Sequence, residues 1–110
     1  MVINGYDFKF AYTVGAYLAL GDLSIDLSRP AGKSKDMAQM ADIMSKEYED
    51  RMHLETPEYT PRYLTMAEVR AMKPKDFPKL SAEVDEAFRV GNEITVETEP
   101  AKKNAGAAEQ

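Results

Sequence analysis

The sequence predicts an α+β fold, with a small N-terminal β-hairpin and a C-terminal strand packed against three main helices and one short helix. Three observations lead to this prediction. Asn4-Gly5 separates two short apolar runs, which favours a type I′ turn and a hairpin. Apolar residues recur every three or four positions over 35–54 and 77–88, which is the period of a helix. The stretch 94–98, ITVET, has the composition of a strand and is expected to pair with the hairpin.

Length and composition limit the classes of protein to consider. The 110 residues suit one small domain, predicted over 1–98, followed by a disordered tail over 99–110 that is polar and rich in alanine. The net charge of −5 argues against a nucleic-acid partner. The absence of cysteine excludes disulfides and thiolate chemistry. No signal peptide or membrane-spanning run is evident, so we expect a soluble cytoplasmic protein without a membrane partner.

The hairpin is predicted to bury one of its two faces. Tyr6, Phe8 and Phe10 alternate with Asp7 and Lys9, which is the two-residue period of a half-buried strand. Its first arm is only three residues long, and a ribbon this small needs a third strand or a helix against it.

The next stretch, 14–20, is apolar nearly all the way round and predicts a short helix buried on most of its faces. We place this helix at the centre of the core. Thr13 is its expected N-cap. Close approach of a neighbouring element would explain Gly15, and Gly21 is a candidate for the end of the helix. A loop over 22–33 follows.

The second helix is the most clearly amphipathic in the chain. It is predicted to begin at Ser34 and to cover 35–54, with charged residues mainly off its apolar stripe. The stripe comprises Met37, Met40, Ala41, Met44, Tyr48 and Met52, widened by Ile43.

This methionine-rich stripe allows two interpretations. Methionine fills irregular cores, and it also suits adaptable binding surfaces because its side chain is flexible and polarizable. The stripe is therefore either core packing or, in part, a surface that grips a helix or extended segment of a partner. The candidate partner-binding residues are Met37, Met40, Ile43, Met44, Tyr48 and Met52.

The remaining elements are predicted from local signals. Two Thr-Pro pairs make 55–64 an irregular connector that its tyrosines and leucine pin to the domain. Thr65 and Glu68 match a capping box, so a short helix should run to about residue 72 and stop at Pro74. Asp76 is the expected N-cap of the last helix. That helix is expected to end at Gly91.

We predict no catalytic residue, cofactor site or metal ligand. The lone His53 lacks the partners that a metal site or general base needs, so we expect an ordinary surface residue. Glu47, Glu49 and Asp50 interleave with basic residues, as on a solvated helix surface. The tripeptide at 32–34 ends like a phosphate-binding loop but lacks the earlier glycine that such a loop requires.

Several segments carry a family resemblance: Ile3-Asn4-Gly5, Phe8-Lys9-Phe10, Tyr12-Thr13-Val14-Gly15-Ala16, ADIMSKEYEDR over 41–51, and Tyr63-Leu64-Thr65. Together they resemble a family of small tail assembly chaperones from long-tailed bacteriophages and prophages of Gram-positive bacteria. The resemblance covers roughly 1–98.

The resemblance implies a non-enzymatic protein of the host bacterial cytoplasm. Members of that family bind the tape measure protein and keep its apolar helices soluble while tail tube subunits polymerise around it, then leave. The tail tube protein is a further candidate partner, and a longer form made by ribosomal frameshifting is common in such systems. Two alternatives stay open: a phage structural protein retained in the virion, as a head–tail connector or tail subunit, and a small enzyme or metal protein.

Overall fold

The computed structural model of the chain describes residues 1–23, 25 and 34–97, the last five of them (93–97) by their backbone alone. In chain order the described elements are β1 (Val2–Ile3), β2 (Tyr6–Asp7), α1 (Val14–Asp22), α2 (Ser34–Glu55), α3 (Met66–Arg70), a 3₁₀ turn (Pro74–Asp76) and α4 (Phe77–Glu97). The predicted combination of an N-terminal hairpin with helices is confirmed. The predicted tail, 99–110, lies outside the described residues, as does most of the predicted loop.

The hairpin forms around the predicted turn. Asn4 and Gly5 both have positive φ angles, 52° and 80°, which is the requirement of a type I′ turn. The strands pair antiparallel, with Ile3 opposite Tyr6. Phe8 is fully buried beyond the second strand, so the predicted buried face is confirmed.

Helix α1 begins as predicted, at a threonine cap. The side-chain oxygen of Thr13 accepts a hydrogen bond from the backbone N–H of Ala16 at 3.2 Å, which satisfies one of the free donors of the first turn. The helix runs one residue past Gly21 and is capped at Leu23.

The prediction that α1 is buried on most faces at the centre of the core is wrong. Only Ala16 and Leu20 of this helix are buried, one turn apart on the face that meets α2. Val14, Tyr17 and Leu18 are exposed on the opposite side. A helix with apolar residues on every face lacks charged side chains, but this pattern does not show that every face is buried.

Helix α2 takes the central place instead. It contacts α1, α3 and α4, and seven of its residues are buried. The core cluster comprises Ile3, Phe8, Ala16, Leu20, Ile25, Met37, Ala38, Met40, Ala41, Met44, Leu64, Val69, Leu80 and Val84. A single helix therefore supplies the largest share of the core, and the other elements pack around it.

The connector and α3 follow their local signals. Leu64 is buried and holds the connector against the core, as predicted. Thr65 and Glu68 form both halves of the capping box. Helix α3 ends at Arg70, two residues before the predicted end, and Pro74 then begins the 3₁₀ turn that leads into α4.

The predicted third strand is not confirmed. Helix α4 passes through Gly91 and continues to Glu97, so residues 94–97 are helical and Thr98 lies outside the described residues. Strand composition over a few residues is a weak signal next to the continuation of a helix that is already formed.

Gly91 has a packing role in place of the predicted capping role. A Cβ atom at this position would lie 2.8 Å from the carbonyl oxygen of Tyr12 and 2.9 Å from its Cβ. The ring of Tyr12 packs against that of Phe88, with centroids 4.5 Å apart. The missing side chain at Gly91 therefore lets α4 approach the segment before α1.

We expect Gly91→Ala to lower the free energy of unfolding by about 1–3 kcal/mol, because the added methyl group meets backbone that cannot swing aside. Gly21→Ala is the matched control, since a Cβ there meets nothing within 4 Å. It should raise stability by up to about 1 kcal/mol through helix propensity. Urea unfolding followed by circular dichroism measures both, and equal effects would contradict the packing role.

Candidate interaction surface

Half of the predicted partner-binding stripe on α2 lies inside the protein. Met37, Met40 and Met44 are buried and belong to the core cluster. In this arrangement they pack against other helices and present no surface to a partner. For these three residues the structure agrees with the core-packing interpretation.

The other three candidates keep part of their surface. Ile43, Tyr48 and Met52 are half-buried, and the guanidinium carbon of Arg51 lies 5.7 Å from the ring centroid of Tyr48. They form the edge of the stripe and could contact a partner only along that edge.

A more exposed apolar surface lies on α1. Val14 is 74% exposed, Leu18 is 60% exposed and Tyr17 is 56% exposed. Residues spaced by three and four lie on one side of a helix, so these side chains adjoin one another. We call these three residues the α1 patch; Leu23, also exposed, follows just after it. The absence of charged residues between 14 and 21 marks this face in the sequence, although the prediction made from it was burial.

The first turn of α1 is fixed to α2 by a carboxylate. The hydroxyl of Thr13 donates to Oε1 of Glu47 at 2.9 Å. A Cβ at Gly15 would lie 2.8 Å from the carboxyl carbon of Glu47, so the predicted close approach at this glycine is confirmed. The first turn of α1 contains no acidic residue, and Glu47 supplies negative charge beside its positive end.

The α1 patch continues towards α4. A shallow depression of about 290 Å³ joins them; its lining residues are Tyr12, Thr13, Val14, Tyr17, Gly91 and Asn92. The apolar surface therefore extends beyond one helix face, and a ligand lying along α1 would also reach the last turns of α4 that are described.

A buried carboxylate lies on the other side of α2. Glu49 is only 1% exposed and accepts three sets of hydrogen bonds. The hydroxyl of Tyr59 donates at 2.9 Å and that of Tyr6 at 3.1 Å. The backbone N–H of Arg62 donates at 2.8 Å. The hydroxyls of Tyr6 and Tyr59 also lie 2.9 Å apart; this contact, burial and the neighbouring Glu49 raise the pKa of Tyr59 above its usual value.

The prediction of a solvated position was wrong for Glu49. Ser45 and Glu49 continue the row of Ala41 at four-residue spacing, and both are buried. That row is visible in the sequence, but its partners Tyr6 and Tyr59 lie in other segments and are not identified by spacing alone. Because Glu49 is enclosed and its oxygens are satisfied, it holds the fold together and has no access to a substrate.

A second carboxylate, Glu68, extends this network to the surface. The guanidinium of Arg62 donates to both its oxygens, at 2.8 and 3.3 Å, and Asn4 of the hairpin turn donates at 3.0 Å. The same guanidinium carbon lies 4.9 Å from the ring centroid of Phe8. The hydrogen bonds from Arg62 and Asn4 lower the pKa of Glu68 from its usual 4.5 to about 2.

The described residues give no support for a metal site. His53 is exposed, as predicted, and its Nδ1 lies 2.7 Å from the carbonyl oxygen of Tyr59. Across 1–23, 25 and 34–97, no group of three or more His, Asp or Glu side chains is placed to hold an ion.

We expect Glu49→Ala to lower the free energy of unfolding by about 3 kcal/mol or more, because it leaves several buried donors without an acceptor. Glu55→Ala is the control: this glutamate is exposed at the end of the same helix, and its loss should change stability by less than about 0.5 kcal/mol. Chemical unfolding of both variants gives the comparison. A Glu49→Ala protein as stable as the control would show that the network is not structurally important.

Stability should fall in acid through Glu68. A carboxyl whose folded-state pKa is depressed stabilises the fold above its ordinary pKa of 4.5, and that contribution is lost as the pH drops towards 2. In Glu68→Gln this part of the pH dependence should be missing, so the difference in urea midpoint between wild type and variant should shrink across that interval. A constant difference would contradict the assignment.

Comparisons with family models, curated proteins and solved structures found no significant match to this chain. Among the described residues, no helix is both long enough and apolar enough to cross a membrane. The described residues thus contain a buried polar network that fixes the fold and an uncharged helix face that is exposed to solvent.

Proposed function

We propose that the protein is a bacteriophage tail assembly chaperone that binds the tape measure protein and keeps its apolar helices soluble while the tail tube assembles. The observation that carries this proposal is the α1 patch, because an exposed apolar helix face is a common docking surface for another apolar helix. The resemblance of several segments to tail assembly chaperones supplies the identity of the client. The protein acts by binding and has no catalytic role.

The α1 patch suits a helical client. Its side chains follow one side of a helix, and ridges on such a side can pack into the grooves of a second helix. It contains no charge, so a client can cover it without stripping water from an ionic group. Its side chains are exposed in the described part of the chain, while Ala16 and Leu20 on the inner face hold α1 against α2.

The size of the patch favours reversible binding. Three exposed side chains and an adjoining depression form a small contact, and small interfaces are typical of weak, transient complexes. Weak binding suits a chaperone that has to leave when tail tube subunits replace it. The partly exposed Ile43, Tyr48 and Met52 of α2 are a secondary contact in this proposal.

Charge substitutions separate a binding role from a folding role. Leu18→Asp should leave the fold intact and weaken binding to segments of the tape measure protein by about tenfold or more, because it places a charge in an apolar contact. Leu54→Asp is a matched control, since Leu54 is 81% exposed at the far end of α2. Met44→Asp should unfold the protein by burying an unpaired charge. Co-purification and calorimetry with tape measure segments provide the measurements.

Binding by Leu18→Asp at wild-type strength would exclude the α1 patch as the client site. Failure of the wild-type protein, in short and extended forms, to bind any tape measure segment would reject the proposed function. Mass spectrometry of purified virions distinguishes the alternative: a chaperone should be missing from the finished particle, whereas a connector or tail subunit should be abundant.

A further inference from the structure

A second surface of different character lies where α2 begins. It is a groove of about 560 Å³ between the start of α2, helix α3 and the start of α4. Its lining residues are Ser34, Lys35, Ala38, Met66, Val69, Arg70, Met72, Lys73, Pro74 and Phe77. Its volume falls within the range of about 300–1,000 Å³ that is typical of ligand-binding clefts.

The floor of the groove is apolar and adaptable. Val69 is buried beneath it, and Met66, Met72 and Phe77 are half-buried, so each turns part of its side chain towards the open space. Met66 and Met72 thus lie at this cleft, while Met37, Met40 and Met44 of the α2 stripe fill the core. Flexible thioether side chains can adjust to the shape of an inserted apolar side chain.

The rim of the groove is positive. Lys35 of α2, Arg70 of α3 and Lys73 before the 3₁₀ turn are all exposed. None of the ten lining residues is acidic, although the chain as a whole has a net charge of −5. Within the described part of the chain these three cations form no ion pair, so their charge is available to a ligand.

We propose that this groove binds an acidic amphipathic helix of a partner protein, with its apolar residues in the cleft and its carboxylates against the rim. The three cations belong to α2, to α3 and to the segment before the 3₁₀ turn. Carboxylates spread along a helix match this arrangement better than the single anionic headgroup of a lipid does. Complementary charge around an apolar contact also selects partners and speeds association. This inference does not rest on the proposed function, since it concerns another surface and needs no tape measure protein.

The probe is a fluorescein-labelled amphipathic peptide of roughly 18 residues, about five helical turns, with leucines at helical spacing and Glu and Gln elsewhere. A matched peptide carries Lys in place of every Glu. Fluorescence anisotropy with the full chain should show that the acidic peptide binds about tenfold more tightly than the basic one. Raising the salt concentration towards about 0.5 M should weaken that binding, because the rim charges are exposed to solvent.

Charge reversal then locates the contact. Arg70→Glu/Lys73→Glu should weaken binding of the acidic peptide by about tenfold. Arg51→Glu/Lys75→Glu has the same net charge with both substitutions outside the groove lining, and should change binding by less than about twofold. Circular dichroism should show that both variants are folded, because all four side chains are exposed.

Three results would overturn the proposal. The first is equal binding of the acidic and basic peptides. The second is an equal effect of the two double variants. The third is concentration-dependent self-association that Arg70→Glu/Lys73→Glu abolishes, since a second copy of this chain would then be the occupant. Because neither α1 nor the tape measure protein takes part, failure here would leave the proposed function untouched.

Discussion

The buried carboxylate of Glu49 is the constraint on which the arrangement of this protein depends. A carboxylate removed from water destabilises the fold unless donors replace the water. Here the donors come from two distant parts of the sequence: Tyr6 of the hairpin, and Tyr59 and the backbone of Arg62 in the connector. The group is satisfied only when hairpin and connector both lie against α2. Apolar packing brings these segments together, and the hydrogen bonds select one way of doing so.

Features set by residues close together in the sequence could be predicted, and features set by contacts between distant segments could not. The Asn4-Gly5 turn and the capping box that begins at Thr65 were predicted correctly, because every atom involved lies within a few residues. The third strand is not confirmed, because α4 packs Gly91 against Tyr12 and continues as a helix to Glu97. The predictions that α1 is buried on most faces and that Glu49 is solvated were wrong for a related reason. Both properties depend on which distant segments pack against these residues.

The same division applies to the candidate surfaces. The methionine stripe on α2 was visible in the sequence, yet its role depended on whether another helix covered it, and for Met37, Met40 and Met44 the structure places them in the core. The uncharged face of α1 was equally visible and remained open. The two proposed surfaces differ in kind, since one is apolar without charge and the other is apolar with a cationic border. The two proposed contacts use different side chains, so their ligands would not compete for them.

The apolar character of α1 on both sides also matters while the protein is being made. Residues 14–22 leave the ribosome before α2, which follows them in the chain and covers the inner face, has left it. Until α2 packs against it, this segment exposes apolar side chains on both sides. It has no charge between 14 and 21 to deter association with other chains. Polysomes translating this message would bring such segments close together, so substitutions in α1 should alter aggregation during synthesis.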